Sequence, residues 1–193
     1  MCNDYEQHVA YAEYQAAIRA AELATPAAET PEALPQADDI RIGDMGPVLR
    51  AAGNGVELVP MRFGWPPPRP KASPVFNFKS DGRHFETSKR CVIVLSGFFE
   101  FTGTKSPKTK HRLSLIGSPV MGTAGLWSED DAGALSFTML TTAPGPDIAP
   151  IHDRQVCVLR PEDWGHWLFL TRPEAELLRP LPEGTLEVET VRP

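Results

Sequence analysis

Between residues 48 and 159 the apolar positions fall in short clusters separated by turn-forming residues, a β rather than a helical rhythm. Val48-Leu49-Arg50 and Val56-Glu57-Leu58-Val59 flank Gly53-Asn54-Gly55, which predicts a tight hairpin. Residues 91–102 (CVIVLSGFFEFT) are dense in β-branched and aromatic side chains and predict one long strand. Further strands are expected at 111–116, 121–127, 135–142 and 155–159, and residues 186–191 alternate as an edge strand does. Pro66-Pro67-Pro68 imposes an extended stretch after Trp65.

Helical patterning is confined to the ends. Residues 4–23 predict a helix with Asn3 or Asp4 as its cap and Glu6 and Gln7 as third-position partners. Alanines fill its body, and Tyr5, Val9, Ala12, Ala16 and Leu23 form its expected buried stripe. Pro26, Pro31 and Pro35 then predict an extended acidic connector over 24–39. Residues 161–170, with proline in the first turn, and 173–178 predict two short helices. The expected fold is α+β, a β-rich, barrel-like antiparallel core with a few flanking helices, in one domain over 1–193.

Composition narrows the class. A chain of 193 residues buries enough surface to be stable without metal or disulfide. No run of 18 apolar residues predicts a membrane helix. The start, MCNDYEQHVAYAEYQ, lacks the basic and apolar regions of a signal peptide, so a cytoplasmic location is expected. Cys2, Cys91 and Cys157 are too few and too scattered for a disulfide framework or a four-thiolate zinc site. His8, His84, His111 and His166 have no metal-ligand spacing with them, and neither metal nor cofactor is expected.

Charge changes the picture only when it is localised. The net charge of −6 argues mildly against a nucleic-acid partner. Residues 60–112, however, carry 11 basic and 3 acidic side chains, a net of +8 between two acidic flanks. That block is either a phosphate-facing surface or a set of solvated strand edges, where lysine is common.

Four residues are candidates for chemistry. Cys2 follows the initiator methionine, and a small second residue normally permits removal of Met1. An exposed N-terminal cysteine carries an amine of pKa near 7.7–8 and a thiol near 8.5, both partly nucleophilic at neutral pH. It can condense with an aldehyde to a thiazolidine, or attack an amide as N-terminal-nucleophile hydrolases do; it can also be incidental. Glu100, among Phe98, Phe99 and Phe101, is either on an outward face or a buried acid suited to proton transfer. His152, in Pro150-Ile151-His152-Asp153-Arg154, sits between strands where Asp153 or Arg154 can orient the ring, or is plain surface. Asn77, in Phe76-Asn77-Phe78-Lys79, can hold a carbonyl or sugar oxygen, or simply form a turn. Near it Arg62, Phe63 and Trp65 combine cations with aromatic faces, as single-stranded nucleic acid requires.

Together these segments resemble the SRAP family (SOS response-associated peptidase domain). The matching pieces occur in the family's order. They are Met1-Cys2, Arg62-Phe63-Gly64-Trp65, Asn77-Phe78-Lys79-Ser80 and Ser96-Gly97-Phe98-Phe99-Glu100-Phe101, then Ala124-Gly125-Leu126-Trp127, residues 137–142 and Pro150-Ile151-His152-Asp153-Arg154. They cover roughly residues 1–4 and 45–168.

The resemblance implies a monomeric enzyme that binds abasic sites in single-stranded DNA during the DNA damage response. It would trap the sugar aldehyde on Cys2 as a thiazolidine, after removing Met1 itself, and would be nucleoid-associated when on DNA. By the same resemblance Asn77 positions the sugar and the cysteine amine, and Glu100 shuttles protons. His152 assists opening of the sugar ring and release of the crosslink. An imine alone would permit a lyase reaction. The implied DNA contacts are Arg62, Phe63, Trp65, Lys79, Arg83 and Arg154.

Departures from the family pattern bear mainly on DNA affinity. Asn3 and Asp4 replace the usual glycine and arginine, so Asp4 either caps a helix or repels phosphate. Phe63 replaces a tryptophan, and Lys79 replaces an arginine and loses its bidentate fork. An N-terminal-nucleophile amidohydrolase or peptidase, and a non-catalytic single-stranded nucleic-acid-binding module, are the competing expectations.

Overall fold

The computed structural model describes residues 2–24, 35–67 and 69–192. Its elements are β1 (Asp4–Gln7), α1 (Tyr11–Ala20), β2 (Ala37–Arg41), β3 (Met45–Ala52), β4 (Gly55–Phe63), β5 (Asn77–Lys79), β6 (Arg90–Leu95), β7 (Gly97–Thr102), β8 (Thr109–Leu115), β9 (Met121–Glu129) and β10 (Leu135–Thr142). They are followed by β11 (Gln155–Val156), β12 (Val158–Leu159), a 3-10 turn over Pro161–Asp163, α2 (Trp164–Phe169), α3 (Glu174–Leu177) and β13 (Leu186–Arg192). The expected β-rich fold with few helices is what the chain adopts.

Two sheets carry the strands. One has the order β13-β8-β7-β1-β2, all antiparallel. In the other, pairing runs from β11 and β10 through β4, β3, β6 and β9 to β12, and β9 also pairs back with β10. That sheet is ring-like without being fully closed, because β10 meets β4 only at Ser136 and Phe137. Two contacts are parallel, β10 with β4 and β10 with β5.

The predicted long strand over 91–102 divides at Ser96. Its first half, β6, belongs to the ring-like sheet, and its second half, β7, to the five-stranded sheet. The bend is held because the Ser96 N–H and hydroxyl both donate to Glu6, the N–H to the carbonyl at 3.2 Å and the hydroxyl to the carboxylate at 2.9 Å. Strand β6 is buried on both faces: Val92 and Val94 pack under the helices with Trp164 and Trp167, and Ile93 and Leu95 pack toward the other sheet. That second core, formed by Tyr5, Phe63, Phe98, Leu113 and Phe137, also contains Cys2.

The expected helix over 4–23 is corrected. Residues 4–7 form a strand, and the helix begins at Tyr11, with Glu13 accepting the Ala10 N–H at 2.8 Å. Its buried face is Tyr14, Ala17 and Ile18, while Ala12 and Ala16 are exposed. Asp4-Tyr5-Glu6-Gln7 reads as polar locally, yet all four are buried because β2 and β7 flank them. The end of the expected connector, residues 37–39, pairs as strand β2; Pro26, Pro31 and Pro68 lie outside the described residues.

Candidate active site

Cross-strand register separates two faces of the five-stranded sheet. Phe98 pairs with Leu113 and Glu100 with His111, whereas Phe99 pairs with Arg112 and Phe101 with Lys110. Side chains alternate along a strand, so Glu100 shares its face with Phe98 and Leu113, toward the core. This resolves the sequence ambiguity: Glu100 points inward and is 1% exposed.

Cys2 lies where the two sheets meet and is fully buried. Its thiol donates to the Asp4 carbonyl at 3.3 Å, and its own carbonyl accepts from Asn77 Nδ2 at 2.7 Å. Asn77 opens strand β5, which lies parallel to β10 with Asn77 opposite Met139. It is therefore a strand residue and not a turn former. Its buried Oδ1 has no protein partner among the described residues, which leaves one acceptor at the site.

Electrostatics link the thiol to the carboxyl. Burial drives the Cys2 thiol well above its ordinary range, and the charge of Glu100 adds to the effect. Burial likewise raises the Glu100 carboxyl, while His152 partly opposes the shift. At neutral pH the thiol is protonated and waits for a base. Glu100 has the raised proton affinity that proton exchange requires.

His152 is about one-quarter exposed, at the end of a loop closed by its N–H donating to Ile148 O at 2.9 Å. Its Nδ1 accepts the Arg154 N–H at 3.0 Å, which puts the proton of a neutral ring on Nε2. Asp153 Oδ1 is 2.9 Å from the same Nδ1, so protonation exchanges one partner for the other. Glu100 and His152 line one cleft of about 500 Å³ with Asn3, Phe101, Ser106, Pro107, Lys108 and Arg192. Cys2, Asn77, Glu100 and His152 thus come together from four separate parts of the chain.

The expected DNA contacts fare unevenly. Phe63 is corrected: it is fully buried and stacks on Phe137 with centroids 5.1 Å apart, so no face remains for a base. Arg154 is half-buried, donating to Asp81 at 2.6 Å and to the Thr141 carbonyl at 2.8 Å. Those bonds tie the His152 loop to β10 at Thr141, opposite Lys79, and use the guanidinium internally. Arg62 is exposed and donates to the Gly43 carbonyl at 2.6 Å. Trp65 is half-buried against Phe78, and Arg83 lies 4.5 Å over the Phe78 ring. Lys79 is exposed at the end of β5, two residues after Asn77.

The +8 block is not one continuous surface. Arg90 is spent on the carbonyls of Phe85, Glu86, Ser88, Trp167 and Leu168. Arg112 grips Glu6 at 2.6 and 2.8 Å. Lys110 bonds Asp4 at 3.0 Å and Asp39, and sits 3.5 Å over the Phe99 ring. Asp4 is neither a helix cap nor a surface charge facing phosphate. Sequence reasoning missed this clamp because Asp4 and Lys110 are far apart in the chain.

Among the described residues no group of three or more His, Cys, Asp or Glu is arranged to hold a metal ion, and no helix is long and apolar enough to cross a membrane.

Comparison with known proteins bears on this arrangement. The family model described as SOS response associated peptidase (SRAP) matches residues 1–193. An abasic site processing protein of Saccharomyces cerevisiae is 31% identical over 101 residues, covering 48% of this chain and 27% of its own length. The abasic site processing protein YoqW of Bacillus subtilis is 33% identical over 100 residues, covering 49% of this chain and 44% of its own. The matched region is thus less than half the length of either relative. Among solved structures, a protein from Bordetella bronchiseptica superposes with a TM-score of 0.70 at 25% identity, covering 100% of both chains. One from Bacteroides thetaiotaomicron gives 0.74 at 17% identity, covering 99% of this chain and 92% of its own, a likeness of fold alone.

Proposed function

The chain belongs to the SRAP family, and from that premise we propose that it recognises abasic sites in single-stranded DNA and captures them covalently on Cys2. The observation that carries the proposal is the convergence on Cys2 of the Asn77 amide, 2.7 Å from its carbonyl, and the Glu100 carboxyl, whose charge acts on its thiol. The relatives named as abasic site processing proteins support the substrate.

While Met1 is attached, the Cys2 nitrogen is an amide and cannot form an imine. Hydrolysis of the Met1–Cys2 bond, by the protein itself, adds one water and frees an α-amine. An abasic sugar reacts as its open aldehyde. Opening moves a proton from the 1′-hydroxyl to the ring oxygen, and the Nε2–H of neutral His152 is the donor in that transfer. The amine then adds to the aldehyde carbon, and water leaves to give an imine, with Glu100 supplying the proton for departure.

The thiol acts second, because burial keeps it protonated until a base takes its proton. Glu100 accepts that proton, sulfur adds to the imine carbon, and the ring nitrogen becomes protonated. The product is a thiazolidine, and the condensation releases one water overall. Asn77 holds the Cys2 carbonyl still while the amine and thiol of the same residue react in turn. If the imine persisted, loss of a 2′ proton would eliminate the 3′ phosphate, a lyase reaction. Closure by sulfur removes that path.

The test incubates the protein with single-stranded DNA carrying one abasic site, followed by a denaturing gel and intact-mass measurement. A shifted band that disappears in Cys2→Ala, from protein lacking one methionine, is expected. No band, or a band unchanged by Cys2→Ala, overturns the proposal.

A further inference from the structure

We propose that Lys108 and Arg192 form a phosphate grip at the mouth of the Glu100–His152 cleft and seat the DNA backbone beside the lesion. The inference rests on the single-stranded DNA function proposed above and assigns two contacts that function did not include. Lys108 lies in the β7–β8 connection, and Arg192 ends the edge strand β13. Arg192 donates to the Lys108 carbonyl at 3.2 Å, which brings the guanidinium to the backbone from which the Lys108 side chain departs. Both residues are exposed, and both line the cleft of about 500 Å³ that ends on Glu100.

The cleft is electrically graded. Its inner end holds a carboxyl, that of Glu100, which is 1% exposed. Its outer rim holds two cations and the Ser106 hydroxyl. A phosphodiester is repelled from the inner end and attracted to the rim, whereas an uncharged sugar can enter. A single strand therefore lies with its phosphates on Lys108 and Arg192 and its abasic sugar directed inward. Guanidinium suits the task, because its fork matches two phosphate oxygens and the Lys108 carbonyl occupies only one of five donors. Lys110 and Arg112, nearby in sequence, are committed to Asp4, Asp39 and Glu6 on the other face of the sheet and do not compete for this strand.

The experiment measures binding of a single-stranded oligonucleotide carrying one stable abasic analogue without an aldehyde, so that no crosslink forms, across a salt series. Each phosphate neutralised contributes about −0.7 to the slope of log K against log salt for single strands. The double variant Lys108→Gln/Arg192→Gln is expected to show a slope shallower by about 1.4. From 50 to 200 mM salt the wild type then weakens about seven-fold more than the variant. A control, Arg19→Gln/Arg179→Gln, removes the same charge from exposed positions elsewhere and is expected to keep the wild-type slope. An unchanged slope in Lys108→Gln/Arg192→Gln, or an equal loss in the control, overturns the grip while leaving the function intact. Wild-type protein that does not bind the oligonucleotide overturns the proposed function, and the grip with it.

Discussion

The two faces of the five-stranded sheet are built from alternate residues of the same strands, yet they treat charge in opposite ways. On the outer face, Asp4, Glu6 and Asp39 each have a cation in contact, from Lys110 or Arg112. On the inner face, Glu100 lies among apolar side chains beside a buried thiol, and burial is the main cause of its raised proton affinity. Opposite charges at 3 Å fix strands; a carboxyl held in an apolar site stores readiness to exchange a proton. One residue of register thus separates the face of paired charges from the face that holds the buried Glu100 carboxyl.

The comparison breaks most severely at Glu100. In Glu100→Gln the crosslinking rate in single-turnover assays is expected to fall about 10²–10⁴-fold, the usual worth of a positioned acid–base group. Thermal stability is expected to hold or rise, because a neutral isostere no longer pays the desolvation of a buried carboxylate. A stability loss with unchanged rate would reverse the assignment of the two faces.

Lys110→Met is the complementary change on the outer face. It leaves Asp4 and Asp39 without their ammonium, and a broken buried pair costs about 3 kcal/mol, read by urea unfolding. Adding Asp4→Asn is expected to recover part of that loss, since the two residues share one interaction. Asn77→Ala, which removes one hydrogen bond to Cys2, is expected to slow crosslinking about five-fold, from a bond worth about 1 kcal/mol.

The smallest effect is a pH dependence. Burial lifts the Asp4 carboxyl from 3.8 to about 6, partly offset by Lys110. The folded chain therefore keeps this proton where the unfolded chain has lost it. Asp4's contribution to stability is fully present below about 4 and is lost as pH rises to about 6. Asp39 is shifted the other way, chiefly by its bonds to Lys110 and Asp4 overcoming burial, so its contribution is lost only in stronger acid. The difference between wild type and Asp4→Asn in denaturant titrations from pH 4 to 6 isolates the Asp4 component, and a flat difference would refute it.

The strands between 45 and 142 were largely legible, because β-branched runs and the Gly53-Asn54-Gly55 turn act over a few residues. Segment 4–7 was not: Asp-Tyr-Glu-Gln before an alanine-rich stretch suits a helix until Lys110 and Arg112 arrive from β8. Phe63 illustrates the converse. Beside Arg62 and Trp65 it has the composition of a base-stacking surface, but Phe137 and Tyr5 enclose it in the core. Arg154, adjacent to His152, likewise proved to be a tie to Asp81 and Thr141.

By itself, then, the sequence determined the β-rich class, the position of Cys2 directly after Met1, and the family motifs around Asn77, Glu100 and His152. Those are local properties, written in neighbouring residues. Tertiary structure alone decided which way Glu100 points, which cations of the basic block are already neutralised, and that Lys108 meets Arg192 across 84 positions of chain. Register and charge pairing depend on residues that only folding brings within a few ångströms of one another.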